Sequence, residues 1–189
     1  MSTLETLAPD VIMDQASAAM EDGQPAEALK LCEHLLERLP EHPDVLEFAA
    51  MAAFHSDQPV KAVDFMALSA AHSPGDVDRY NNLGIMLQSV NRAEEAVDAF
   101  QMALEISPDD IEVLNNLCVV MTMLNRSSEA LTLGERAIAV DPQSADAFFN
   151  LASAYQKIGR NPRHGGYLNI AICPGMTHAL STTAPSVPS

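Results

Sequence analysis

The chain has 189 residues, enough to bury a sizeable core, and carries 26 acidic against 10 basic side chains for a formal charge of −16. That balance disfavours nucleic acid and anionic membrane surfaces, both of which need a basic footprint, and a basic or neutral partner is easier to accommodate. Hydrophobic residues make up 48% of the chain, aromatics 5%, and Trp is absent, so alanine, leucine and methionine carry the apolar mass and favour helix over sheet.

Residues 1–8 form an N-terminal extension that carries an acid and lacks the apolar stretch of a secretory signal. From Pro9 onward the chain is periodic. Pro40, Pro74, Pro108 and Pro142 recur every 34 residues, which divides the sequence into repeats 9–42, 43–76, 77–110 and 111–144, with a fifth starting at Ala145. Within repeat 3, Tyr80, Leu83, Gly84 and Leu87 fall on one face of a first helix, and Ala96, Phe100 and Ala103 on one face of a second. Between the two, position 15 holds Gly23, Asp57, Asn91, Asn125 and Gly159, residues that tolerate the left-handed turn ending a helix. The recurring proline then closes the second helix, which it cannot continue.

Column sizes agree with stacked hairpins. Position 8 is small throughout (Ala16, Ala50, Gly84, Cys118, Ala152), and position 20 is alanine in Ala28, Ala62, Ala96 and Ala130. Position 27 holds Leu35, Ser69, Ala103, Ala137 and Ala171, whereas position 4 is large and apolar in Ile12, Leu46, Tyr80, Leu114 and Phe148. Small residues let two helices approach and large ones opposite fill the space.

The pattern breaks in the fifth repeat. Phe148, Leu151, Ala152 and Tyr155 fit, but His164 stands where alanine is expected, Gly165-Gly166 follow, and Pro174 comes early. The array is therefore assigned to 9–174, with 175–189, rich in Ser, Thr and Pro, expected to be a disordered tail. No acid occurs after Asp146. Either the last hairpin is degenerate with a loose tail, or the chain is a fragment or its reading frame slips near Asn161.

The search for chemistry finds little. Cys32, Cys118 and Cys173 are far apart and match no zinc spacing, and no histidine pair has metal spacing. P-loop, dinucleotide and nucleophile-elbow motifs are absent. His164-Gly165-Gly166 lacks an accompanying nucleophile. With no apolar run approaching the roughly 18 residues of a membrane span, the expectation is a cytoplasmic protein with packed thiols, no catalytic residue, no metal and no cofactor.

These columns resemble the tetratricopeptide repeat. Repeat 3 fits that motif best, repeat 4 fits apart from Gly134 in an aromatic position, and repeats 1 and 2 are weaker, with Gln15 and Ala49 in a leucine column. The resemblance covers residues 9 to about 160 and implies an all-α, right-handed α-solenoid of tandem hairpins. In such proteins the first helices line a concave groove that holds extended partners. Two groove columns stand out: Asn82, Asn116 and Asn150, and the acids Asp10, Asp44, Asp78, Glu112 and Asp146.

The asparagine column is similar to the ladder inside the repeat superhelix of O-GlcNAc transferases, where stacked amides grip a peptide backbone. An amide offers both a donor and an acceptor, so it can pair with any peptide group; the alternative is that these amides bond only to a neighbouring helix. Carboxylates in a first helical turn are also favoured by the macrodipole, which alone could account for the acidic column. Met13, Met20, Met51, Phe54, Ile85, Val119 and Met123 would add apolar stretches.

The expectation is a non-enzymatic scaffold whose groove, with Asn82, Asn116, Asn150, Asp78, Glu112 and Asp146, binds a peptide or partner protein. The alternative implied by the resemblance is the N-terminal substrate-recruiting array of a larger glycosyltransferase-type enzyme. Homo-oligomerisation through the terminal repeats is a third possibility, since the last hairpin lacks a polar cap.

Overall fold

Five turn residues adopt the left-handed conformation: φ is 70° at Gly23, 57° at Asp57, 60° at Asn91, 59° at Asn125 and 66° at Gly159. The first four reverse the chain by the same hydrogen-bond pair. In the first turn, the Gln24 amide donates to the Ala19 carbonyl at 2.8 Å and the Gly23 amide to that of Met20 at 3.1 Å. Asp57-Gln58, Asn91-Arg92 and Asn125-Arg126 repeat the arrangement. Carbonyls that the helix end would leave bare are thereby satisfied, and the next helix starts antiparallel to the last.

The computed structural model describes residues 7–159, and these form nine α-helices with no strand. They are α1 Pro9–Glu21, α2 Pro25–Arg38, α3 Pro43–His55, α4 Pro59–His72, α5 Val77–Ser89, α6 Ala93–Ile106, α7 Ile111–Met123, α8 Ser127–Val140 and α9 Ala145–Lys157. Odd-numbered helices are the first helices of the repeats and even-numbered ones the second. Each second helix ends two residues before its column proline, with Leu39, Ser73, Ser107 and Asp141 as the C-caps. Helix starts change along the chain. Pro9, Pro25, Pro43 and Pro59 open α1 to α4, where a missing N–H is harmless. Asp76, Asp110 and Ser144 instead cap α5, α7 and α9 through their side chains.

The core runs along the seam between hairpins. Ala28, Ala62, Ala96 and Ala130 are completely buried, as are Leu35, Ser69, Ala103 and Ala137 of position 27. The close approach is tightest in repeat 3: a Cβ on Gly84 would stand 2.5 Å from the Phe100 ring, so glycine makes room for the largest buried side chain. Full burial of that ring contributes roughly 2–3 kcal/mol. Repeat 4 compensates for Gly134 from outside the hairpin. There Leu151 of α9 fills the space, 3.1 Å from where a Cβ would stand.

One packing expectation fails at the end of the array. Ala152 belongs to the small column but is exposed. That column faces the second helix of its own repeat, as Gly84 faces Phe100, and the corresponding segment of the fifth repeat lies outside the described residues, as do His164, Leu168, Ala171, Cys173, Pro174 and the expected tail.

Candidate groove of the first helices

Successive hairpins pack so that α5 touches α7 and α7 packs against α9, while no second helix packs comparably on another. The first helices therefore lie on the inner side of the curve. Contact between them is closest at α7 and α9, and there an open cleft of about 340 Å³ forms. Glu112, Asn115 and Asn116 of α7 face Asp146 and Asn150 of α9 across it; Asp141 and Ser144 close one end and Ile111 gives an apolar wall. Four of the six residues expected in the groove, Glu112, Asn116, Asp146 and Asn150, meet in this cleft. Asn82 and Asp78 both lie on α5, in the repeat before α7.

The asparagines connect diagonally between repeats. Asn116 Nδ2 donates to Asn81 Oδ1 at 2.9 Å, and Asn150 Nδ2 reaches Asn115 Oδ1 at 3.4 Å. Asn81, only 5% exposed, in turn donates to Glu112 Oε1 at 2.9 Å. Each column asparagine thus contacts the residue at the position before it in the preceding repeat. Asn82 breaks the series: the corresponding residue is Glu47, which contacts Arg79 instead, and the Asn82 side chain forms no hydrogen bond among the described residues. Asn81 and Asn115 lie one position before the asparagine column, outside its 34-residue register of single positions. The signal was present as the doublets Asn81-Asn82 and Asn115-Asn116, 34 residues apart.

The acidic column divides into two kinds of residue, all exposed. Asp44 binds Arg79 and Glu112 binds Asn81, each across a repeat boundary. Asp10, Asp78 and Asp146 have no side-chain partner among the described residues. None of the five caps a helix, since that task falls to Asp76, Asp110 and Ser144 in the later repeats. Of the apolar groove residues, Met51, Ile85 and Met123 are exposed, whereas Met13, Met20 and Phe54 pack partly against the core and Val119 is half-buried.

A buried arginine, which the sequence reading did not single out, closes the groove upstream. The Arg79 guanidinium binds Asp44 and Glu47 of α3 and its own N-cap Asp76 at 2.9 Å. It also donates to Ser69 Oγ at 3.0 Å, and that hydroxyl donates to the Pro43 carbonyl at 2.8 Å. Serine in an otherwise alanine and leucine column is explained by this bond. Burial pushes the Glu47 carboxyl up from its ordinary range, with Arg79 pulling the other way.

Burial pushes the Cys32 thiol up to about 12 and the Cys118 thiol up to about 11, which keeps both protonated and inert. No three His, Cys, Asp or Glu side chains among the described residues are grouped to hold a metal, and no described helix is long and apolar enough to cross a membrane.

With the left-handed turns, the alanine seam and the inner first helices established, comparison with known proteins agrees with them. Residues 19–84, 77–107 and 133–163 each match the tetratricopeptide repeat family. The chain is a tetratricopeptide-repeat protein. None of the curated proteins matches the sequence. A crystal structure of MamA is similar with a TM-score of 0.78 at 17% identity, over 86% of this chain and 88% of that one. A tetratricopeptide repeat protein from Parabacteroides merdae gives 0.75 at 12% identity, over 80% of this chain and 60% of that one. YrrB, described as a TPR protein with an unusual peptide-binding site, gives 0.71 at 20% identity, over 85% and 83%. At these identities the likeness establishes the fold, an α-solenoid of tandem helical hairpins.

Proposed function

We propose that the chain is a non-catalytic adaptor that holds an extended peptide, or an extended segment of a partner protein, along its inner face. Asn82, Asn116, Asn150, Asp78, Glu112 and Asp146 supply the polar contacts. The observation that carries this reading is the α7–α9 cleft, where two column asparagines and two column acids converge on one open concavity. Asn116 and Asn150 each use one amide hydrogen on the preceding repeat, which orients the side chain and leaves its carbonyl oxygen for a ligand. The Asn82 amide remains wholly available. Exposed Met51, Ile85 and Met123 give the same face apolar ground for alternate side chains of an extended peptide.

The test is capture of a partner with the full chain, followed by calorimetric titration of wild type and the triple variant Asn82→Ala, Asn116→Ala, Asn150→Ala. Each lost hydrogen bond is worth about 0.5–1.5 kcal/mol, so affinity should fall roughly tenfold to a thousandfold with helicity unchanged. Unchanged affinity would remove the asparagines from the binding site.

A further inference from the structure

We infer that the segment held in this groove is cationic, and that the α7–α9 cleft seats an arginine side chain. This rests on the peptide-groove reading above and adds the chemistry of the occupant. The first observation is the polarity of the amide network. Glu112 carries a carboxylate, which only accepts, so Asn81 must turn its NH2 toward it, and Asn81 Oδ1 must then face Asn116. One N–H of Asn81 and one of Asn116 are thereby directed at protein. What remains toward the cleft carries the Asn116 and Asn150 carbonyl oxygens and the carboxylates of Glu112 and Asp146, against the neutral N–H groups of Asn115, Asn116 and Asn150, so acceptors outnumber donors and the only formal charge is negative. A peptide backbone can still pair with the amides, an acidic side chain meets like charge, and a group rich in N–H finds acceptors on both walls.

The second observation is the segregation of charge between the two sets of helices. Among the described residues, most cations of the second helices and their N-caps are paired with acids, Lys30 with Glu27, Lys61 with Glu33, Arg92 with Glu95, Arg126 with Glu129 and Arg136 with Asp109, while Arg38 donates to the Leu7 carbonyl. The first helices contain an acid at the second position of every repeat, and their only Lys or Arg residues are Arg79 and Lys157. Arg79 is buried and engaged, so among the described residues the inner face has no Lys or Arg beside the cleft paired with Glu112 or Asp146. Field lines in such a concavity reinforce one another, which favours a positive ligand over the same charges spread on a flat surface.

The third observation is shape. The cleft, about 340 Å³, is large enough for a guanidinium and its stem. Guanidinium presents five N–H donors in a planar fork, whereas an ammonium presents a compact charge, so acceptors on two facing helices suit arginine better than lysine. Seven residues beyond the column acid, about 10 Å along the helix axis, lie exposed Met51 on α3, exposed Ile85 on α5 and half-buried Val119 on α7, with Ser153 in that place on α9. An extended peptide running across the helices therefore meets an acidic border on one side and, from α3 to α7, an apolar one on the other. The ligand class is an extended segment in which arginine alternates with apolar or small side chains.

Three blocked, fluorescently labelled peptides of about ten residues, roughly 33 Å when extended, would be titrated into the full chain by anisotropy. They share a Ser/Thr/Val background and differ only in whether three alternate positions carry Arg, Gln or Glu. The Arg peptide should bind about tenfold or more tighter than the Gln peptide and weaken steeply with salt, while the Glu peptide should not bind. Glu112→Gln with Asp146→Asn keeps the acceptor for Asn81 but removes both charges, and should weaken the Arg peptide about three- to thirtyfold. Asp98→Asn with Glu135→Gln, the same charge change on second helices, should leave it unaffected. Equal binding of the Gln and Arg peptides would overturn the cationic occupant while leaving the groove reading intact. Equal weakening by the two double variants would place the attraction in net charge rather than in the cleft and would also overturn it. Binding of none of the three would count against both readings.

Discussion

At the fifth and sixth positions of the first helix, repeats 1 and 2 carry Met13-Asp14 and Glu47-Phe48, whereas repeats 3 and 4 carry Asn81-Asn82 and Asn115-Asn116. The same hairpin plan thus serves two different inner surfaces. In the upstream half, α3 buries Ala49, Ala50, Ala52 and Ala53 together, and Glu47 is held by Arg79. Phe48 leans on the core. In the downstream half the corresponding atoms are amides linked from repeat to repeat, and α7 and α9 enclose a cleft. The difference teaches that the repeat's seam residues fix the solenoid, leaving the inner columns free to be either locked or polar and open.

If the upstream half is a lock, breaking it should cost the most. Arg79→Met removes the only cation among Asp44, Glu47 and Asp76, and should destabilise the fold by about 2–3 kcal/mol near pH 7 in urea titrations. The effect should shrink on acidification. Burial already holds the Glu47 carboxyl above its ordinary range and Arg79 opposes that rise, so the variant's folded-state pKa should climb further. A carboxyl raised in the folded state favours unfolding at pH values above that pKa and ceases to do so once both states are protonated. A loss of the same size near pH 4.5 would show that the arginine acts by packing rather than by charge.

The seam itself is sharpened by two glycines. Gly84→Ala drives a methyl into the fully buried Phe100 ring and should cost about 1–3 kcal/mol. Gly134→Ala meets Leu151 at 3.1 Å near the end of the array, where the leucine can yield and alanine favours the helix, so its stability should stay within about 1 kcal/mol of wild type. Reversed sensitivities in thermal unfolding would mean that the downstream hairpins are the more tightly packed.

Smaller effects separate the asparagines. Asn81→Ala takes a donor from Glu112 and an acceptor from Asn116 and should cost about 1–2 kcal/mol. Asn82→Ala removes a side chain without a partner and should change unfolding by no more than about 0.5 kcal/mol. Equal losses in the two variants, measured side by side in urea, would erase the distinction between the network residue and the free one.

The sequence carried most of the fold because the fold is local and repeated. A proline every 34 residues, a left-handed turn column and a small-residue seam each constrain the chain within one hairpin. The site was less legible because its contacts join residues in different repeats. Asn116 meets Asn81 and Arg79 meets Asp44 only after hairpins have stacked with a diagonal offset, so a column of identical positions points to Asn82, Asn116 and Asn150 but misses Asn81, Asn115 and Arg79. Ser69 was a quieter sign: a hydroxyl in an apolar column implies a polar neighbour, and that neighbour is Arg79.

The central claim, that the downstream first helices bind while the upstream half holds the fold, is tested most directly by hydrogen–deuterium exchange of the full chain with and without a bound peptide. Slowed exchange should concentrate in Ile111–Met123 and Ala145–Lys157, with Pro25–Arg38 and Pro59–His72 unchanged. Protection confined to the second helices, or to α1 and α3, would contradict the account.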